Sequence, residues 1–216
     1  AHFTWIGTRD IPYNYSDYPS PLVDNHMIAT YIKDDQYYFL DATSQYSSYL
    51  LPSSMIQGKE ALIALSNDEF EIKKVPVIEA QTNLKIDSSH FRVDRTIGNK
   101  IYINMNLDKA MTSNLIDEER QHPRTFRFKT KNVNIAEFEI PMGYAVSRLP
   151  KDKSYSNDVF SFQIDYKQED NKVILTRTYS IKSIQIDPEL FENWNDALKE
   201  LSNAYRDLII LEKTGA

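Results

Sequence analysis

Apolar and polar residues alternate with a two-residue period at both ends of the first 65 positions. "FTWI", residues 3–6, reads as a short strand, and "DNHMIATYIKDDQYYFLDATS", residues 24–44, reads as two strands joined by an acidic turn. Between them lies the polar, Tyr-rich stretch "GTRDIPYNYSDYPSPLVDN". Its prolines at 12, 19 and 21 forbid a regular element. After the hairpin, "ATSQYSSYLLPSSMIQGKEALIAL" holds turn residues and a partner strand or short helix around Ala61 to Leu65. "VPVIEAQTNLKID" then reads as an extended connector.

Alternating runs follow: "KIYINMNL", "TFRFKT", "NIAEFEI", "DVFSFQIDY" and "KVILTRTYSI", each rich in Ile, Val, Tyr and Phe. Their rhythm predicts an antiparallel β-sandwich, with a hairpin turn at Glu169 to Asn171. The period changes once more near the end. Leu190, Phe191, Trp194, Ala197, Leu198, Leu201, Tyr205 and Leu208 recur at three- and four-residue steps, with Asp187 as N-cap and Pro188 at the first helical position. Such a stripe packs a helix on a core. The fold class is α+β and mostly β, divided as residues 1–73, a connector 74–85, and residues 86–216.

Composition narrows the chemistry. A net charge of -6 over 216 residues argues against a sequence-independent grip on nucleic-acid phosphates, which needs clustered Lys and Arg. No stretch reaches the roughly 18 to 20 apolar residues of a membrane helix, and "AHFTWIGTRD" lacks the pattern of a signal peptide. The sequence has no cysteine, so the chain itself offers neither a disulfide nor a thiolate. His2, His90 and His122 have no partners at metal-ligand spacing, "IDEERQ" (116–121) reads as a solvated charge run, and the five glycines form no phosphate loop. No cofactor or metal is called for.

The hairpin carries the candidate chemistry. A connection centred on Asp34 and Asp35 sets Ile28 opposite Asp41. Side-chain alternation then puts His26, Ile28 and Asp41 on one face, with His26 diagonal to Asp41 at about 7 to 8 Å between backbones. A carboxylate that holds one imidazole nitrogen leaves the other free to act on a nucleophile. The plainer reading is a partly exposed histidine and an aspartate capping the "DATS" turn, and pattern alone leaves both open. Tyr13, Tyr15 and Tyr18 either line a peptide cleft or pin their long loop to its own domain, and Trp5 has the same two readings.

"WIGTRD", "PSPLVDNHMIATY", "YYFLDATS" and "LLPSSMIQGKEAL" resemble the end of the transglutaminase-like domain of large multidomain bacterial proteins, especially those of the Bacteroides group. The resemblance covers about residues 3–65. It implies the C-terminal β-sheet half of a papain-like domain, in which a cysteine at a helix start is the nucleophile, a histidine the base and an aspartate the orienter. By motif His26 and Asp41 match the last two, and Asn25 joins Trp5 and the three tyrosines as candidate cleft residues for a protein or peptide substrate.

The family's cysteine belongs upstream of a strand like "FTWI", so the resemblance implies a nucleophile supplied from a preceding domain and a chain inactive alone. The remainder, through "PMGYAVSRLP" and the terminal helix, resembles the β-rich domain that follows in those proteins. Relatives carry more chain around "HFRVDRTIGNKIY", which implies missing residues there. An extracytoplasmic site is implied as well. The competing expectation is a catalytically dead scaffold whose β-sandwich engages a protein or glycan.

Overall fold

Each two-residue apolar period before residue 65 becomes a strand, because only a pleated strand sends such residues to one face. The computed structural model describes residues 1–43, 51–91, 98–106 and 108–214, which divide into two units, Ala1–Ile78 and Glu79–Ala216. The stretch where missing residues are implied, 92–97, lies outside the described residues, as does the last residue of "DATS".

The first unit is one antiparallel sheet. Strands β1 (His2–Ile6), β2 (His26–Lys33), β3 (Gln36–Leu40), β4 (Glu60–Ala64) and β5 (Phe70–Lys74) lie in the order β3-β2-β1-β4-β5. Ile6, Ile28, Phe39, Ile56, Ala61, Ile63 and Val75 make its core. Each large side chain there contributes about 1.5–3 kcal/mol by leaving water. The Thr4 and Thr30 hydroxyls, both fully buried, satisfy each other at 2.7 Å. The Ala61 segment is thus a strand rather than a short helix, and β5, whose "FEIKK" shows too little alternation to read, pairs with it.

The β2–β3 register runs from Ala29 opposite Leu40 to Lys33 opposite Gln36, which leaves a two-residue turn. Asp34 and Asp35 both take positive φ, 51° and 60°. That pair of angles fits the right-handed twist of the flanking strands.

The described residues of the second unit form ten strands and one α-helix. In chain order these are β6 (Leu84–Phe91), β7 (Lys100–Ile103), β8 (Arg124–Thr125), β9 (Thr130–Glu139), β10 (Tyr144–Arg148), β11 (Lys153–Ser156), β12 (Phe160–Glu169), β13 (Lys172–Ile181), β14 (Gln185–Ile186), helix α1 (Phe191–Ala204) and β15 (Ile209–Lys213). They form sheets β11-β12-β13-β9-β6, β10-β15-β7 and β14-β8. One buried cluster, from Ile101 to Leu211, joins the two larger sheets to the helix.

Several sequence expectations change here. The "connector" ends in β6, which pairs with β9 in parallel, so the larger sheet is not purely antiparallel. "TFRFKT" is not a strand of its own: only Arg124–Thr125 pair, with β14, and β9 begins at Thr130. Asp187 caps a 3-10 turn, Pro188–Leu190, without a side-chain hydrogen bond, and α1 proper starts at Phe191. Leu208 lies beyond the helix and is exposed, because the chain turns there into β15. The stripe itself is buried: Trp194, Ala197, Leu198, Leu201 and Tyr205 are each at most 1% exposed.

Candidate functional site: a histidine–aspartate pair at the open end of a hairpin

His26 opens β2 and faces Ile6 of β1 across the ladder. Since alternate residues share a face, it lies on the side of Ile28 and Thr30, the side that carries the core. Asp41 follows the last paired residue of β3, where the same register brings it back beside β2. Nε2 of His26 stands 3.3 Å from Oδ1 of Asp41, with the two side chains 16% and 2% exposed.

The contact is one of charge and proximity rather than an aligned hydrogen bond, for Nε2 of His26 and Oδ2 of Asp41 are both buried without a hydrogen-bond partner. Buried polar atoms in that condition cost about 1–3 kcal/mol apiece, and folds keep few of them. Oδ1 is already engaged by Thr43, whose backbone N–H donates at 3.1 Å and whose hydroxyl donates at 2.8 Å. Burial pushes the Asp41 carboxyl up. The Thr43 hydroxyl and N–H, the His26 charge and the Ser53 hydroxyl together outweigh it and hold the group below the usual carboxylate range. Asp41 is therefore an anion at neutral pH, beside the His26 imidazole.

Asp41 caps its own turn through Thr43 and also lies beside His26. The other candidates are placed differently. Asn25 is turned toward the exit of β1, where its Oδ1 accepts the Thr8 N–H and its Nδ2 donates to the Thr8 hydroxyl, each at 2.9 Å. Trp5 pairs with Met27 and Leu62, so it lies on the face of the sheet opposite to His26 and lines a depression of about 740 Å³ with Phe3 and Phe70. It cannot share a cleft with the histidine, because a strand sends neighbouring residues to opposite faces.

Of the tyrosines, Tyr15 is buried and donates a short hydrogen bond to Asp24. Burial, then that bond and the Asp24 charge, push its hydroxyl well above the usual phenol range. This is the loop-pinning role. Tyr13 and Tyr18 are about half exposed and flank Tyr15 over a closed crevice rather than an open cleft.

Lys59 was not legible as part of this loop. It is buried, and its ammonium donates to the carbonyls of Ile11 and Tyr13 at 2.8 and 2.5 Å, while desolvation lowers its pKa against the raising pull of Asp24, Glu60 and Asp17. A lysine beside a glutamate ahead of a strand carries no pattern that separates it from a solvated pair. Of the remaining histidines, the His2 ring lies 3.0 Å from the Ala64 carbonyl through Nδ1, and His122 is exposed. "IDEERQ" is solvated from Asp117 onward, but Ile116 is buried and exchanges backbone bonds with the Asn195 side chain of α1 at 2.8 Å.

Fold and site together define a mostly β, α+β chain with a histidine–carboxylate pair in its first unit and a helix-backed β unit after it. The chain belongs to the family described as "Domain of Unknown Function with solved-structure structure (DUF3858)", which matches residues 99–211. It is similar in structure to a putative protease from Parabacteroides distasonis, with a TM-score of 0.62 and 9% identity, over 98% of this chain and 40% of that one. At that identity the likeness is one of fold, and the present chain spans well under half the length of that protein. No curated protein matches the sequence.

Proposed function

We propose that the chain is the histidine- and aspartate-bearing part of a cysteine-dependent enzyme of the transglutaminase-like or protease-like kind, which acts on amide bonds of proteins or peptides. The observation that carries this reading is the contact of His26 Nε2 with Asp41 Oδ1 at 3.3 Å, in which both groups keep an unsatisfied atom. Asp41 orients the ring and stabilises the imidazolium. His26 takes the thiol proton at Nδ1, and the thiolate attacks the amide carbonyl to expel the amine, which leaves with that proton. The sequence has no cysteine, so the thiol comes from chain outside these 216 residues, which alone form no acyl-enzyme. The β unit of residues 99–211 serves as a partner domain. On the resemblance to the Bacteroides-type proteins, we place the parent outside the cytoplasm.

The test uses the parent protein, assayed for incorporation of a labelled amine into casein and for casein hydrolysis. His26→Ala and the nucleophile's Cys→Ala are each expected to lower the rate by about 10⁴-fold or more, and Asp41→Asn by a similar order. A parent whose amide-bond activity survives His26→Ala has a different catalyst. One with no activity and no cysteine near His26 is a scaffold, which is the competing expectation.

A further inference from the structure

The second unit carries a depression of about 600 Å³ bounded by β7, β10, the start of β11 and the link from α1 to β15. Its lining is about half apolar and half polar. Tyr102, Ile210 and Arg148 form one row across the β10-β15-β7 sheet, and since Ile209 and Leu211 point into the core, Ile210 and Tyr102 point out of it. Leu149, Pro150 and Leu208 complete the apolar part of the lining, with Tyr102 47% and Leu208 42% exposed.

The rim is basic: Arg148, Lys151, Lys153 and Arg206 line it against one carboxylate, Asp207. Asp207 is held by Lys153 at 2.7 Å. Asp152, the next acid along the chain, accepts the Tyr166 N–H at 2.9 Å through Oδ1. Among the described residues Arg148, Lys151 and Arg206 face no carboxylate partner. In a chain whose net charge is -6, this is a local excess of positive charge over exposed aromatic and aliphatic surface.

We propose that this depression is a docking groove for an acidic amphipathic peptide segment, whose apolar side chains seat on Tyr102, Leu208 and Ile210 while its carboxylates meet Arg148, Lys151 and Arg206. The lining favours a peptide over a phosphate group, because a phosphate would leave the exposed apolar side chains beside the cations uncovered. The two arginines, Arg148 and Arg206, both exposed, suit planar carboxylates, which each can meet with two parallel hydrogen bonds. The groove lies in the second unit and the His26 site in the first.

The test is fluorescence anisotropy of a short labelled peptide of alternating Glu and Leu, titrated with the 216-residue chain. Saturable binding is expected, weakened about tenfold or more by Arg148→Glu with Arg206→Glu. Tyr102→Ser with Leu208→Ser should weaken it several-fold, as should raising the salt from about 0.05 M to about 0.5 M. A Lys and Leu peptide should not bind. Far-UV circular dichroism checks the fold of each variant, and Arg148→Gln with Arg206→Gln gives the same reading if the reversal unfolds. Absence of saturable binding overturns the proposal, as does affinity indifferent to the arginines. Equal competition by inorganic phosphate, or by a single-stranded oligonucleotide, together with no effect at Tyr102 and Leu208, would reduce the groove to plain anion attraction and also overturn it.

Discussion

Asp41 is the residue on which the hairpin's chemistry and its stability meet. Its carboxyl titrates below the usual range in the folded chain, so the folded state binds its proton less readily than the unfolded one. The stability this provides is present above the unfolded value of about 3.9 and is lost as the pH falls through the lower folded value. The difference in urea midpoint between the wild type and Asp41→Asn should therefore shrink as the pH falls below about 4. A difference that persists unchanged into stronger acid would mean that the carboxylate charge contributes nothing there. His26 and Asp41 were legible together because a strand's period of two and a fixed turn decide which side chains meet. Lys59 and the turned-away Asn25 were not, since what settles them is a loop folding back over its own carbonyls.

At the scale of elements, local pattern succeeded where an element carries its own periodicity and failed where pairing defines it. The β2–β3 and β12–β13 hairpins, each closed by a two-residue turn, announce themselves by alternation on either side of Asp34–Asp35 and Asp170–Asn171. β15 is too short to stand out after a helical stripe, and it becomes a strand by lying between β7 and β10. The start of β6 reads as connector because its parallel partner is 47 residues away, a separation no window detects. Helix α1 is the clearest success, and Trp194 is its anchor: fully buried, edge-on to Phe160 at 5.4 Å, tilted against Phe126 at 5.0 Å, with its indole N–H donating to the Asn114 carbonyl at 2.8 Å. Trp194→Ala removes that volume and leaves a carbonyl without its donor, and should cost about 3–5 kcal/mol by urea denaturation. A loss below about 1 kcal/mol would make the helix peripheral to the fold.

At the scale of the whole molecule, the two hydrophobic cores are separate. One is built from residues between Ile6 and Val75, the other from residues between Ile101 and Leu211, and the division at Ile78 and Glu79 falls between them. A unit that closes its own core can unfold on its own. The sequence supplies a reporter for each, since it has two tryptophans, the half-buried Trp5 in the first unit and the fully buried Trp194 in the second. In a Trp5→Phe chain the fluorescence follows Trp194 alone, and its urea midpoint and slope should match those of residues 79–216 expressed by themselves, because the slope scales with the surface that unit exposes. A midpoint that falls on removing residues 1–78, or a single steep transition with the slope expected of all 216 residues, would show that the units fold as one cooperative body and that the separation of their cores is one of contacts and not of stability.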